Sequence, residues 1–246
     1  MIIDFHTHVD EAPAFGWLDP PEKIVGLLDE AGIDRAVIMT YTDLPGSNPA
    51  ALDYITASAK RFPDRLVPFV RLNPSYTDEM PGILKRALQL GVKGVKLHPT
   101  TTIAHPAGAA TVAALRLCAE ASLPVLFHCG DDPYTTPQAL ALAAALVPDC
   151  SIVMGHMGGY FHAADAIEAA ERHENLYLET SAMPYPWLIA DAVMRVGASR
   201  VIFGSDGPGC NPALELEKIR GLGLAQTDLD LVLSGNAMRL LAESGA

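Results

Sequence analysis

The chain has 246 residues, half of them apolar and 19% charged, a composition able to bury a sizeable core in one large domain. Its formal net charge of -12 is spread along the sequence, which argues against nucleic acid as a partner, because a phosphate backbone calls for a basic face. No apolar run reaches the ~18 residues that span a membrane, and no cationic segment precedes an apolar one at the start, so a cytoplasmic location is expected.

The first apolar run, IIDFHTH from residue 2, predicts a strand ending on His6 and His8. DPPEKIVGLLDEAG follows as a helix, with an aspartate cap, early prolines and a closing glycine. RAVIMT from residue 35 and LVPFVRL from residue 66 are the next strands, the latter ending at Arg71. Helical spacing in TDEMPGILKRALQLG leads to VKGVKLH from residue 92, which carries Lys96 and His98. The helix GAATVAALRLCAEAS precedes PVLFHCG with His128, and TPQALALAAALV precedes SIVMGHMG with His156. FHAADAIEAAERHE leads to LYLETS with Glu179, and WLIADAVMRVG leads to RVIFGSDGP with Asp206. The tail, TDLDLVLSGNAMRLLAE, reads as one or two closing helices.

Eight strands starting 24–33 residues apart, alternating with helices, predict an α/β fold: a (β/α)8 TIM barrel, as one domain over 1–246. The runs are continuous rather than alternating, as parallel strands covered on both faces should be. The alternative, a doubly wound open sheet, usually has a glycine-rich first turn, and FHTHVDEAP is no such turn. Exposed barrel helices would offer faces for a homodimer.

In a barrel of this kind all strand C-termini open at one mouth, where active sites lie. Residues i and i+2 of a strand face one side, so His6 and His8 are expected to point inward together. A histidine from strand five and a carboxylate from strand eight would complete three or four N/O donors, which suits a catalytic divalent ion with an open position. An isolated H-x-H pair is often accidental; here the histidines at other strand ends make chance convergence improbable. His98 alone more often marks a substrate contact than a ligand. Arg71 is either a clamp for a substrate carboxylate or an ordinary ion-pair residue. Glu179 reads as a structural carboxylate lining the mouth. His162 and His173 read as solvated or capping, and His105 carries no usable signal. Trp17, Tyr134, Tyr160, Phe161, Tyr185 and Trp187 fall in mouth loops and suit a flat apolar ligand, or simply pack those loops. None of Cys118, Cys129, Cys150 and Cys210 is in Cys-x-x-Cys spacing, so buried reduced thiols are expected, with Cys129 and Cys210 standing beside motifs.

Taken in order, DFHTH, GVKLHP, LFHCG, GHMGG, FGSDGP and SGNAMRLL resemble the amidohydrolase superfamily over essentially the whole chain, and its amidohydrolase-related branch most closely. That branch also contains non-oxidative decarboxylases of the aminocarboxymuconate-semialdehyde type. The resemblance implies His6, His8, His128 and Asp206 as metal ligands, His156 as a base or water-orienting residue, and Asp206 as a proton shuttle. It implies a divalent ion, zinc first, with iron and manganese as alternatives. One ion is favoured; two would require Lys96, carboxylated by CO2, as the bridge. TatD-like nucleases also begin with H-x-H, but they would want a glutamate at strand four and Glu-Thr-Asp at strand eight. A metal-dependent hydrolase of an amide, ester or lactone in a small, carboxylated, often aromatic substrate is the first expectation. A non-oxidative decarboxylase is the second and an iron-dependent oxygenase the third, while the intact ligand set argues against a non-catalytic binding protein.

Overall fold

The computed structural model describes residues 1–41 and 49–243. Eight parallel strands pair in chain order: β1 Ile3–His8, β2 Arg35–Met39, β3 Leu66–Arg71, β4 Gly94–Leu97, β5 Val125–His128, β6 Ile152–Gly155, β7 Leu176–Glu179 and β8 Val201–Ile202. The circle closes where β1 meets the segment after β8. Phe5 N–H donates to Phe203 O at 3.0 Å, Asp206 N–H to His6 O at 2.7 Å, and His8 N–H to Gly207 O at 2.7 Å. The (β/α)8 barrel expected from the spacing of the apolar runs is the fold, and it forms a single domain.

The runs are continuous because each strand is buried on both faces. Outward residues such as Val95, Phe127 and Leu178 pack with the helices in one large cluster. Inward residues, Ile3 and Phe5 with Val37, Phe69, Leu126, Val153 and Ile202, form a second cluster inside the barrel. Ala237 and Leu240 of the C-terminal helix Asn236–Glu243 join that inner cluster, and Leu240 lies beside Pro124 and Ser151 at the start of β5 and β6, so the helix plugs the end opposite the mouth.

Helices α1 Pro21–Ala31, α2 Pro49–Arg61, α3 Met80–Gln89, α4 Ala109–Glu120, α5 Pro137–Leu146, α6 Ala163–Arg172, α7 Pro186–Val196 and α8 Pro212–Arg220 form the outer layer. Proline occupies a first-turn position in α1, α3, α5, α7 and α8, where its missing N–H costs nothing. The aspartate cap expected for α1 is not made. Pro20 is the N-cap, and Asp19 accepts instead from Lys23 Nζ; the closing glycine, Gly32, adopts φ 69° as expected. Helices α2 and α8 are additional to those expected, α8 opening on Asn211-Pro212, where Asn211 Oδ1 accepts from Ala213 and Leu214 N–H. A hairpin of Asp10–Ala12 with Trp17–Asp19 and a helical turn at Pro99–Thr102 are additional too. Among the described residues no helix is long and apolar enough to cross a membrane.

One irregularity decides what reaches the mouth. Ile3 and Phe5 face the barrel interior, so a regular strand would turn His6 and His8 outward. The pairing of β1 with β2 slips between Asp4 and Thr7, with Asp4 opposite Ala36 but Thr7 opposite Ile38. That bulge reverses the alternation, and His6 lies inside beside Lys96 and Glu179.

Candidate metal centre

His6, His8, Arg71, Lys96, His98, His128, His156 and Asp206 all line one cavity of about 260 Å³ at the C-terminal mouth, together with Trp17, Tyr41 and Thr101. The eight residues singled out from the sequence are thus brought to one opening, from six different strand ends. Two reach it through unusual backbone. His156 and Asp206 have φ of 63° and 61°, a left-handed conformation that costs a residue with a Cβ of order 1–3 kcal/mol. His156 directly follows β6, and Asp206 lies four residues beyond the end of β8.

The polar contacts radiate from His6. Its Nδ1 lies 2.9 Å from Glu179 Oε2, while Nε2 lies 2.9 Å from Lys96 Nζ and 3.5 Å from Asp206 Oδ1. Asp206 Oδ1 is also 3.1 Å from His8 Nε2. On the opposite side His156 Nε2 stands 3.2 Å from His128 Nδ1, whose ring stacks on His98 at 4.1 Å and 6°. Arg71 Nη1 donates to Thr40 O and Tyr41 O at 2.8 Å each, fixing the chain after β2. That chain carries Tyr41, sandwiched between Trp17 at 3.9 Å and His8 at 4.2 Å.

Burial keeps the imidazoles neutral. His6 is held well below the ordinary histidine value by burial and by the neighbouring Lys96. Burial likewise lowers His8, His128 and His156, and it takes His98 down to about 3 with help from Lys96 and Arg71. Burial works to raise Asp206, but the imidazoles of His6 and His8 facing it hold the carboxyl below its usual range. The mouth therefore presents an ionised carboxylate among neutral imidazoles. That is the protonation state in which all of them can donate electron pairs.

The donor set suits a divalent ion. Ligand atoms of His6, His156 and Asp206 lie within 4.8 Å of one another. Donors about 2.0–2.1 Å from a tetrahedral ion stand about 3.3 Å apart, and the contacts His8–Asp206, His128–His156 and His6–Asp206 span 3.1 to 3.5 Å. The atoms are nitrogen and oxygen only, which fits zinc, manganese or iron. Cys129 is buried, and burial raises its thiol; Cys210 is partly exposed, with its thiol pushed up to about 11.

Several expectations need correcting. Of the six aromatic residues placed at the mouth, only Trp17 lines the cavity. Phe161 and Trp187 are 82% and 65% exposed, while Tyr41, in the chain just after β2, does line the cavity, and no motif in the sequence marks it. Glu179 is not at the mouth but fully buried beneath it. His105, which carried no signal in the sequence, accepts at Nδ1 from Ala107 N–H within its own loop. His162 and His173 stand at the two ends of α6.

Glu179 fits only because the neighbouring chain gives way. A Cβ on Gly204 would stand 2.2 Å from Glu179 Oε1, whereas one on Gly155 would meet Phe127 O at 2.8 Å and Glu179 Oε2 only at 3.5 Å. Gly204→Ala is expected to cost about 1–3 kcal/mol through overpacking, read as a lower urea midpoint. An unchanged midpoint would show that the carboxylate has space to turn aside.

A family model described as amidohydrolase matches residues 3–242, and the chain belongs to that family, within the amidohydrolase superfamily and its amidohydrolase-related branch. Among solved structures it is similar to a TIM-barrel protein of uncharacterised function from Bordetella bronchiseptica, at 23% identity and TM-score 0.84, covering 100% of this chain and 99% of that one. It is also similar to a dihydroxybenzoic acid decarboxylase from a Polaromonas species, solved with manganese and 2-nitroresorcinol, at 16% identity, TM-score 0.78 and coverage of 98% and 96%. A protein from Pseudomonas putida described as a 2-pyrone-4,6-dicarboxylic acid hydrolase stands at 18% identity, TM-score 0.78 and coverage of 98% and 97%. At these identities the likeness establishes the fold. No curated protein matches the sequence.

Proposed function

We propose that this protein is a metal-dependent hydrolase of a small, carboxylated, flat substrate, cleaving an ester, lactone or amide. His6, His8, His128 and Asp206 would hold the ion. A divalent ion there supplies Lewis acidity, polarising a substrate oxygen and acidifying water toward neutral pH. The observation that carries the reading is Asp206. It is the sole carboxylate lining the cavity among the described residues, and its Oδ1 faces both His8 and His6.

Hydrolysis needs a group that accepts a proton from water and returns it to the leaving atom. Asp206 Oδ1 is ionised and faces the cavity, and His156 Nε2 stands opposite with a neutral ring. Arg71 and Lys96 make the wall cationic, which favours a substrate carboxylate. Trp17 offers a ring face to a planar substrate, stacked as it is on Tyr41.

Decarboxylation is the second reading, and Lys96 is what favours it. Replacing CO2 by hydrogen requires a proton donor aimed at carbon, and the Lys96 amine, 2.9 Å from His6 Nε2, is the cavity group with protons to give. The zinc- and manganese-loaded enzyme should be assayed on carboxylated lactones and esters and on hydroxybenzoates. Acid release from the lactones without CO2 is expected. Evolution of CO2 from the hydroxybenzoates, with the lactones untouched, would overturn the hydrolase reading.

A further inference from the structure

We infer that Glu179 is a positioning residue that fixes the proton of His6 on Nδ1, leaving Nε2 bare toward the cavity. The inference rests on the reading of this cavity as a metal-dependent active site. Its geometry, however, is independent of any substrate.

Both oxygens of Glu179 are tied down by groups that can only donate. Ser181 N–H donates to Oε1 at 2.6 Å, and His156 N–H donates to Oε2 at 3.3 Å. Ser181 Oγ–H adds a third bond to Oε2 at 2.8 Å. As a carboxylate the side chain is held as an acceptor, and His6 Nδ1, 2.9 Å from Oε2 and 3.4 Å from Ser181 Oγ, is its donor. A neutral imidazole carries one N–H, so His6 Nε2 keeps its lone pair. That nitrogen is the one that faces Lys96 Nζ and Asp206 Oδ1.

His156 is fixed by a separate arm. Its Nδ1 lies 2.9 Å from Ser181 Oγ and 3.3 Å from Ser181 O. The carbonyl oxygen can only accept, and the hydroxyl proton is already given to Glu179. His156 is thereby also an Nδ1–H imidazole, but one that does not depend on Glu179 directly. By contrast, His8 Nδ1 is buried with no hydrogen-bond partner among the described residues. Control of the tautomer by a carboxylate is thus confined to His6 among these three histidines.

Glu179→Gln separates the two arms. The amide oxygen is favoured at the Oε1 position, where Ser181 N–H donates at 2.6 Å, over the Oε2 position, where His156 N–H stands 3.3 Å away. The NH2 then faces His6 Nδ1 as a donor, and His6 has to move its proton to Nε2. His156 keeps its carbonyl acceptor and should not change. Long-range 1H–15N spectra of the histidine side chains, recorded on the full metal-free chain, read both tautomers at once. In wild type, His6 and His156 are expected in the Nδ1–H form. In Glu179→Gln, His6 alone should switch, and zinc affinity, measured against a competing chelator, should fall about 10–100-fold. Wild-type His6 in the Nε2–H form overturns the assignment without any variant, as does a Glu179→Gln spectrum in which His6 is unchanged. A wild type with the expected tautomers but no zinc affinity would uphold the role of Glu179 and bring down the metal-dependent reading instead.

Discussion

Replacing both His6 and His8 with alanine is expected to abolish metal binding and turnover while the barrel stays folded. Neither ring belongs to the two apolar clusters that hold the strands to one another and to the helices. The seam at β1 is made by main-chain bonds, His8 N–H to Gly207 O and Asp206 N–H to His6 O, which an alanine makes equally well. Truncating two buried side chains should cost about 1–3 kcal/mol each, lowering the midpoint of thermal unfolding without erasing the far-ultraviolet dichroism. Metal content of the purified variant should fall to background. Loss of the dichroism at room temperature would make the ion part of the fold rather than of the chemistry.

The second large effect is expected from His156→Ala. With the ion on His6, His8, His128 and Asp206, His156 Nε2 is left to hold or move a proton, and its loss should lower kcat by ~10²–10⁴ with metal content unchanged. The structure also supplies the competing assignment, since His156 is the histidine grouped with His6 and Asp206 within 4.8 Å. Metal analysis separates the cases. One equivalent in both proteins supports the proton role. One equivalent in the wild type and none in the variant makes His156 a ligand of the single ion. Two and one would give Lys96, 2.9 Å from His6 Nε2, a place between two ions.

What the sequence revealed and what it concealed divide along physical lines. Strand positions were legible because strands buried on both faces must be written as unbroken apolar runs, a property of each segment alone. His6 and His8 were expected to face inward together, and they do, although Phe5 beside them also faces inward. The slip between Asp4 and Thr7 that reconciles these facts depends on how β1 meets β2, and no single segment encodes it. The left-handed turns at His156 and Asp206 are equally invisible, because the enrichment of histidine and aspartate at positive φ is too weak to single out a position. Glu179 was placed at the mouth by its position at a strand end. Its depth follows from the missing side chain of Gly204 in the segment after β8, a neighbour that the sequence of β7 alone does not reveal. The aromatic residues misled for the opposite reason. Loop position does not say which way a ring turns, and Phe161 turns out to solvent.

The closing seam of the barrel has a kinetic consequence. Its hydrogen bonds join His6 and His8 to Asp206 and Gly207, residues roughly 200 positions apart in the chain. Contacts so distant carry the largest loop-closure cost and tend to form late. During synthesis the histidine pair leaves the ribosome long before its carboxylate partner exists, so on the proposed ligand set the nascent chain holds only half of a chelate. Docking of the last strand then completes the cylinder and the donor set in the same step, so acquisition of a tightly held ion would report, in a refolding experiment, the moment at which the fold becomes whole.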